Sequence, residues 1–267
     1  MTPLFFIATL VLYFAGTVSF LAYLLRRSEA LSKVSLGLAG LGFLAHTIAL
    51  VTRMVAVGHV PLTSFQEAMS FFSWALVLVL LIVEFRHRIH VFGCFILPLA
   101  LLSLLSAAAL PEQIPTLGPV LKTVWVHVTL SMLGTVGFAV AFAAGIMYLI
   151  QDGLLKSKRF NVLYAKLPAL DVLDHLNQQS ILLGFPLLTL GIITGAISAE
   201  FSQGSYLNWN PEQAWALVTW VFYCAVLVGR LTVGWRAKRA AYLTIIGFAS
   251  VLLTFVGVIM KDVGTVT

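Results

Sequence analysis

Three histidines are the residues of this sequence best suited to metal chemistry, because they lie within or beside long apolar runs. His46 lies near the middle of one run, His127 near the start of another, and His59 in the polar segment between two runs. An ionisable group in a membrane segment usually serves a function, and neutral imidazole is a usual axial ligand of haem iron. His46 and His127 are therefore candidate iron ligands, and a hydrogen bond to a neighbouring helix is the alternative for these two. His59 is a weaker candidate ligand.

Arg53 follows His46 by about two helical turns and therefore lies on the same helix face. Its guanidinium can neutralise the carboxylates of an amphipathic ligand, or its side chain can extend to the lipid headgroups. Both interpretations stay open. In the polar segment that follows, Ser64 as N-cap and Glu67 three residues later predict a capping box at the start of the next helix.

An aromatic-rich polar segment, residues 204–217, separates two further apolar runs. Asn210 is a good helix N-cap and Pro211 suits the first helical position, so a helix is predicted to begin there, at the membrane surface. Trp209 and Trp215 offer flat, amphipathic faces at this depth. One interpretation is an interfacial aromatic belt, and the other is a platform for a flat hydrophobic ligand.

Composition places the chain in a membrane. It is 60% apolar and only 10% charged, whereas a soluble domain carries roughly 25% charged residues. The formal charge of +6 does not indicate nucleic-acid binding, because no basic stripe with interleaved aromatic residues is present. Cys94 and Cys224 form no C-x-x-C pair, and the common phosphate-loop, zinc-protease and serine-hydrolase motifs are missing. No catalytic reaction is therefore assigned.

Eight apolar runs, most of them near the roughly 20 residues that cross a bilayer, set the predicted architecture. They cover residues 4–25, 34–57, 65–85, 91–110, 124–150, 179–200, 214–228 and 240–259. We predict an all-α integral membrane protein: a single domain over residues 1–267 that forms a bundle of eight transmembrane helices with an outward-facing tryptophan-rich segment. The longest inside loop, residues 151–178, mixes charged residues with leucine and is expected to form a helix on the membrane surface.

Lysine and arginine predict the orientation, because most of the 16 basic residues fall in alternate loops. These are Arg26, Arg27, Lys33, Arg86, Arg88, Lys156, Lys158, Arg159, Lys166, Arg230, Arg236, Lys238 and Arg239. The other side receives only Arg53, Lys122 and Lys261. The positive-inside rule then places both termini and the tryptophan-rich segment on the periplasmic or extracellular side of a bacterial cytoplasmic membrane.

Several segments together resemble the cytochrome c assembly superfamily, which includes CcsA, CcmC, CcmF and the related HemX proteins. They are residues 53–74, 125–127, 182–197, 204–231 and 235–249. In this superfamily the tryptophan-rich segment binds haem on the outer face, and flanking histidines ligate the iron. The resemblance therefore implies a non-covalently bound haem b.

Carried over by position, Trp209, Pro211 and Trp215 match the tryptophan-rich motif, and His127 matches the histidine that precedes it. His46 resembles a membrane histidine of the CcsA type. The resemblance adds Asn210 to the haem-binding set and suggests Arg53 as a partner of the haem propionates.

The chain also departs from the superfamily pattern. Leu207, Asn210 and Gln213 stand where the usual motif has tryptophan, aspartate and glutamate. Neither the end of the seventh run nor the C-terminal tail carries the histidine that CcsA proteins have there. Each expected histidine pair therefore lacks one member.

Three hypotheses about function follow. The first is a protein that holds or translocates haem at its outer face for attachment to apocytochrome c, with a ResB-like membrane protein as partner. The missing histidines favour the second, a HemX-like haem or porphyrin sensor that regulates haem biosynthesis through glutamyl-tRNA reductase. The third is a non-haem small-molecule transporter or scaffold. Membrane lipid is an expected partner in all three, and nucleic acid in none.

Overall fold

The structure, a computed structural model, describes residues 3–26, 28–109, 121–158, 162–206 and 211–264. These residues form nine α-helices and one 3₁₀ turn, His90–Phe92, with no strand among them. The helices are α1 (Pro3–Leu25), α2 (Glu29–Val57), α3 (Phe65–His87), α4 (Gly93–Ala109), α5 (Leu121–Lys156), α6 (Val162–Lys166), α7 (Leu170–Gln203), α8 (Pro211–Thr232) and α9 (Lys238–Gly264). The predicted all-α fold class is confirmed.

Seven helical segments of the described chain are long and apolar enough to cross a membrane. They comprise α1, α2, α3, α4 with its preceding 3₁₀ turn, α5, α7 and α8. The eighth predicted run, residues 240–259, lies within α9, which is not one of the seven. The multi-pass membrane architecture is therefore confirmed, with seven candidate spans where eight were predicted.

The predicted surface helix over residues 151–178 is largely wrong. α5 continues to Lys156, α7 already begins at Leu170, and only the short α6 lies between them. The reason is local: residues 151–156 contain a single glycine and no proline, so nothing ends α5 at the membrane edge. The flanking membrane helices consequently extend beyond their apolar runs.

Helix packing groups the chain into two compact units. The first comprises Met1–Ala109 and Gln151–Pro168, and the second comprises Leu110–Ile150 and Ala169–Thr267. In the first unit α1 packs against α2 and α4, and α3 packs against α4. In the second, α8 packs against α7 and α9. A single domain over the whole chain stays a prediction.

Hydroxyl groups join α3 to α4 in the first unit. Ser73 Oγ donates to the carbonyl oxygen of Ala100 at 2.7 Å, and Ser103 Oγ donates to that of Met69 at 2.8 Å. All four residues are buried. Such interhelical hydrogen bonds are common where lipid removes the hydrophobic driving force for helix association.

Glycines bring α5 and α7 together in the second unit. A Cβ added at Gly184 would lie 2.8 Å from the carbonyl oxygen of Gly134, and one at Gly137 would lie 2.9 Å from the Cα of Gly184. Only glycine allows this backbone approach, which is usual for membrane helices. Beside this contact the rings of Phe138 and Tyr223 stack with centroids 3.6 Å apart, which fixes α8 against α5.

Candidate functional site

His127 lies on α5 and contacts the backbone of α7 within the second unit. Its Nδ1 lies 2.7 Å from the carbonyl oxygen of Gly191, and the hydroxyl of Ser131 lies 3.4 Å from the same nitrogen. A carbonyl oxygen can only accept, so Nδ1 carries the proton and Nε2 carries the lone pair. Within the described residues, Nε2 has no hydrogen-bonding partner. The imidazole is thus held in the tautomer whose Nε2 can ligate a metal.

A cavity of about 120 Å³ lies beside this imidazole. Its lining consists of His127, Ile192, Gly195, Ala196, Tyr206, Gln213, Ala216 and Leu217. Most of these side chains are small or apolar, and the imidazole is the strongest metal ligand among them. The donor set therefore fits ligation of haem iron by His127. Small-molecule sites usually measure about 300–1,000 Å³. The cavity is therefore too small to hold a whole haem macrocycle, and it represents only the space next to the iron-ligating imidazole.

The tryptophan-rich segment is only partly described. Trp209 and Asn210 lie outside the described residues, and α8 begins at Pro211 as predicted. Trp215 is 49% exposed and does not line the cavity. Its predicted role as a wall for a flat ligand therefore remains a prediction that the cavity geometry does not support.

Trp220 has a structural role that sequence reasoning did not assign. Its indole N–H donates to Thr189 Oγ1 at 2.9 Å, and its ring stacks on Phe185 with centroids 5.5 Å apart. Both partners belong to α7, so Trp220 anchors α8 next to the His127 contact.

His46 is completely buried in the first unit, and both of its ring nitrogens are engaged. The hydroxyl of Tyr13 lies 3.3 Å from Nδ1, and Ser70 Oγ lies 3.0 Å from Nε2. The imidazole thereby connects α1, α2 and α3, which is the alternative that the sequence left open. Ligation of iron by His46 would first have to break one of these hydrogen bonds.

Arg53 pairs with a carboxylate of the protein. Its Nε lies 3.2 Å from Glu67 Oε1, and Glu67 is only 4% exposed. The second oxygen of Glu67 accepts from the backbone N–H and the hydroxyl of Thr63, both at 3.0 Å. Both sequence-based interpretations of Arg53, a ligand carboxylate or the lipid headgroups, omitted this partner.

The capping box predicted for α3 is half right. Ser64 Oγ accepts from the backbone N–H of Glu67 at 3.2 Å, as expected. The Glu67 carboxylate, however, binds the amide of Thr63 instead of the amide of Ser64. The same carboxylate also binds Arg53. The side-chain position of Glu67 that allows the contact with Arg53 is also the one that brings its second oxygen to Thr63, which explains the difference.

Among the described residues His59 has a single, local contact, in which its Nδ1 lies 3.0 Å from the carbonyl oxygen of Val60. Across the described residues no three His, Cys, Asp or Glu side chains are close enough together to hold a metal ion. A protein-only metal centre is therefore not formed in the described part of the chain. Of the three predicted histidines, His127 combines a ring nitrogen that no described residue engages with a place in the lining of a cavity.

Arg230 belongs to a buried network that sequence reasoning missed. Its side chain is 1% exposed, its Nη1 donates to Asn177 Oδ1 at 2.6 Å, and its Nη2 pairs with Asp174. The amide of Asn177 in turn donates to the carbonyl oxygen of Ala141 at 2.6 Å and to Thr244 Oγ1 at 3.0 Å. The network joins α5, α7, α8 and α9. The sequence did contain one signal for this role of Arg230. The helical pattern continues past Val228, where the predicted apolar run ends, to the turn at Gly234, so Arg230 lies within the helix.

Comparison with known proteins gives a consistent result. The sequence pattern of the Cytochrome C assembly protein family matches residues 62–262. The chain is 33% identical to the cytochrome c biogenesis protein CcsA of Guillardia theta, over 79% of this chain and 77% of that protein. It is 30% identical to the CcsA protein of Prochlorococcus marinus subsp. pastoris, over 98% of this chain and 91% of that protein.

A solved structure shows the same fold. The cytochrome c heme lyase CcmF superposes with a TM-score of 0.67 at 16% sequence identity, over 98% of this chain. The chain corresponds to 49% of CcmF, that is, to about half of that larger protein. Together with the matched family pattern and the two CcsA relatives, this identifies the chain as a multi-pass membrane protein that belongs to the Cytochrome C assembly protein family.

Proposed function

We propose that this protein holds haem at the outer face of a bacterial cytoplasmic membrane and presents it for cytochrome c biogenesis. The observation that supports this most directly is the state of His127. Its Nδ1 donates to Gly191, its Nε2 is unengaged within the described residues, and it lines an apolar cavity. Neutral imidazole in this state is a usual axial ligand of haem iron.

The hydrogen bond to the Gly191 carbonyl strengthens the ligand. A metal-binding histidine almost always donates its other ring N–H to a carbonyl or carboxylate, which orients the ring and raises its basicity. Here that donor contact measures 2.7 Å and comes from the backbone of a packed helix, so it is fixed before any ligand arrives. Haem is the cargo, and the role of the chain is to bind it and orient it.

Around this ligand we expect Trp209, Asn210, Pro211 and Trp215 to complete the haem site, as the superfamily resemblance implies. Pro211 begins α8, and the cavity-lining Gln213, Ala216 and Leu217 lie in its first two turns. The described cavity-lining residues of this segment, Tyr206, Gln213, Ala216 and Leu217, therefore lie beside His127. Non-covalent binding of haem b is part of the proposal.

His46, Arg53 and His59 belong to the first unit. We retain His46 as a haem-ligand candidate within this unit, and only in a state in which Ser70 or Tyr13 releases it. Arg53 could contact haem propionates only in competition with Glu67.

An assembly role implies apocytochrome c as the acceptor of the haem and a ResB-like membrane protein as partner. The CcsA relatives favour this role over a HemX-like regulator. No feature of the described residues favours glutamyl-tRNA reductase as a partner.

The decisive experiment is the visible absorption spectrum of the purified, detergent-solubilised protein, oxidised and reduced. We predict a Soret band in the wild type and at least about a tenfold loss of haem affinity in His127→Ala, because the iron loses its protein ligand. His87→Ala is the matched control, since His87 is exposed at the end of α3. Equal losses in both variants, or no band after haem is supplied to the wild type, would contradict the proposal.

A further inference from the structure

Two glycines of α7 determine how His127 lies. Gly191 supplies the carbonyl oxygen that accepts from Nδ1 at 2.7 Å. Gly195 supplies space, because a Cβ added there would lie 2.6 Å from both Nδ1 and Cε1 of the imidazole and 3.3 Å from its Cγ. Carbon atoms in proteins do not approach that closely without a shift. The imidazole therefore occupies the position that a side chain at residue 195 would fill.

The four-residue spacing of Gly191 and Gly195 explains why both residues act on His127. Residues four apart lie on the same face of a helix, and a helical side chain covers the turn that precedes its own Cα. A side chain at residue 195 would thus cover the carbonyl of Gly191. Without one, this carbonyl stays accessible to a donor from another helix. Its own helix supplies the backbone N–H of residue 195, and the hydroxyl of Thr194 has a single proton and lies closer to the carbonyl oxygen of Leu190, at 2.8 Å, than to that of Gly191, at 3.0 Å. A carbonyl oxygen has two lone pairs, so that of Gly191 can accept from both residue 195 and His127.

We propose that Gly195 is a positioning residue for the haem ligand: it leaves the Gly191 carbonyl uncovered, and so fixes both the Nδ1–H tautomer and the ring position of His127. This inference rests on the proposed haem-binding function and extends it to α7. Gly195 itself lines the cavity beside His127, yet it has no ligating group and acts through the imidazole.

Gly195→Ala is expected to disturb the position of the His127 imidazole specifically. The added methyl group meets the end of a movable side chain, so the imidazole shifts and α7 itself stays in place. The shift lengthens or breaks the bond from Nδ1 to Gly191. Loss of such a supporting hydrogen bond typically lowers metal affinity about 10- to 100-fold, and we expect a loss of haem affinity in this range.

The first test needs no haem. The haem-free protein is labelled with ¹⁵N-histidine, and the ring nitrogens of His127 are assigned from the signals lost in His127→Ala. We expect one protonated Nδ1 and one unprotonated Nε2 in the wild type, and a mixture of tautomers in Gly195→Ala. Identical ring signals in the two proteins would overturn the proposal.

The second test uses the haem-loaded protein. The iron–histidine stretching frequency of the ferrous form, measured by resonance Raman spectroscopy, responds to the strength of the Nδ1–H hydrogen bond. We expect this frequency to fall in Gly195→Ala and to stay constant in the control Gly145→Ala. That control disturbs the contact of α5 with α9, where a Cβ would lie 3.0 Å from Thr244 Oγ1 and 3.2 Å from the carbonyl oxygen of Ala241. It therefore reports the effect of a packing change that does not touch the α5–α7 contact of His127.

The two tests separate the failure of this inference from that of the proposed function. A wild type that binds no haem but has a fixed His127 tautomer contradicts haem binding and leaves the positioning by Gly195 intact. A wild type that binds haem through His127, with the same tautomer and the same stretching frequency in Gly195→Ala, contradicts the positioning alone.

Discussion

At the scale of single residues, the histidine side chain has two different uses in this protein. Within the part of the chain that the structure describes, His127 is hydrogen-bonded through Nδ1 alone, and it lines a cavity. His46 is bound through both nitrogens and is fully buried. The arrangement of His127 leaves Nε2 available as a ligand atom. That of His46 gives each ring nitrogen a hydrogen-bonding partner within the helix packing. A buried polar group is stable only when its partners are present, so His46 stabilises the first unit as long as Tyr13 and Ser70 stay in contact.

This role of His46 can be tested with Ser70→Ala. The substitution leaves Nε2 without a partner in a buried place, which should lower the free energy of unfolding by about 1–3 kcal/mol. The unfolding midpoint in detergent measures the effect. Ser106→Ala is the control, because among the described residues Ser106 Oγ donates to one acceptor, the carbonyl oxygen of Ser103 in its own helix, at 2.7 Å. A midpoint that falls no further in Ser70→Ala than in Ser106→Ala would show that the hydrogen bond to His46 contributes little.

At the scale of elements, α8 is held to its neighbours at two levels. Near the middle of the helix Trp220 contacts Thr189 and Phe185 of α7. At its end Arg230 binds Asp174 and Asn177 of the same helix α7. The segment that precedes α8 carries the tryptophan-rich motif, so these anchors determine where the motif can lie relative to His127.

We expect Arg230→Ala to be strongly destabilising. It removes the cation from a buried pair, leaves Asn177 Oδ1 without its donor, and should cost on the order of 3 kcal/mol. Thermal unfolding in detergent measures this loss. Arg236→Ala is the matched control, because Arg236 is exposed in the turn after α8 and surface substitutions usually stay within about 0.5 kcal/mol. Equal stability of the two variants would contradict a structural role for the network.

At the scale of the whole molecule, the long apolar helices and the family relationship define a multi-pass membrane protein. The orientation is our proposal, and it rests on the basic residues in alternate loops. It matters for function, because only an outward-facing tryptophan-rich segment can present haem to an apocytochrome on that side.

The orientation predicts the accessibility of two engineered cysteines. In a background with Cys94→Ala and Cys224→Ala, we expect Ser205→Cys to react with a membrane-impermeant maleimide on intact cells, because residue 205 precedes α8 on the outer side. Ser157→Cys follows α5 on the inner side and should react only after permeabilisation. The reverse pattern of labelling would invert the orientation and place the tryptophan-rich segment inside.

Features that depend on local chemistry and on apolar length were predictable from the amino-acid pattern. It predicted the membrane class, the approximate positions of the long helices, the start of α8 at Pro211 and the Ser64 cap of α3, because each is specified by neighbouring residues. It also singled out His127 from its residue type and its resemblance to a family histidine.

The contact partners of those residues became visible in the folded chain. The partner of His127 is a backbone carbonyl on α7, the partner of Arg53 is Glu67, and Arg230 is buried against Asp174. Each contact joins different helices, and its formation depends on how the helices pack. Because a sequence pattern records spacing along one helix and not the neighbour of that helix, the availability of His127 and the engagement of His46 could be distinguished only in the folded chain.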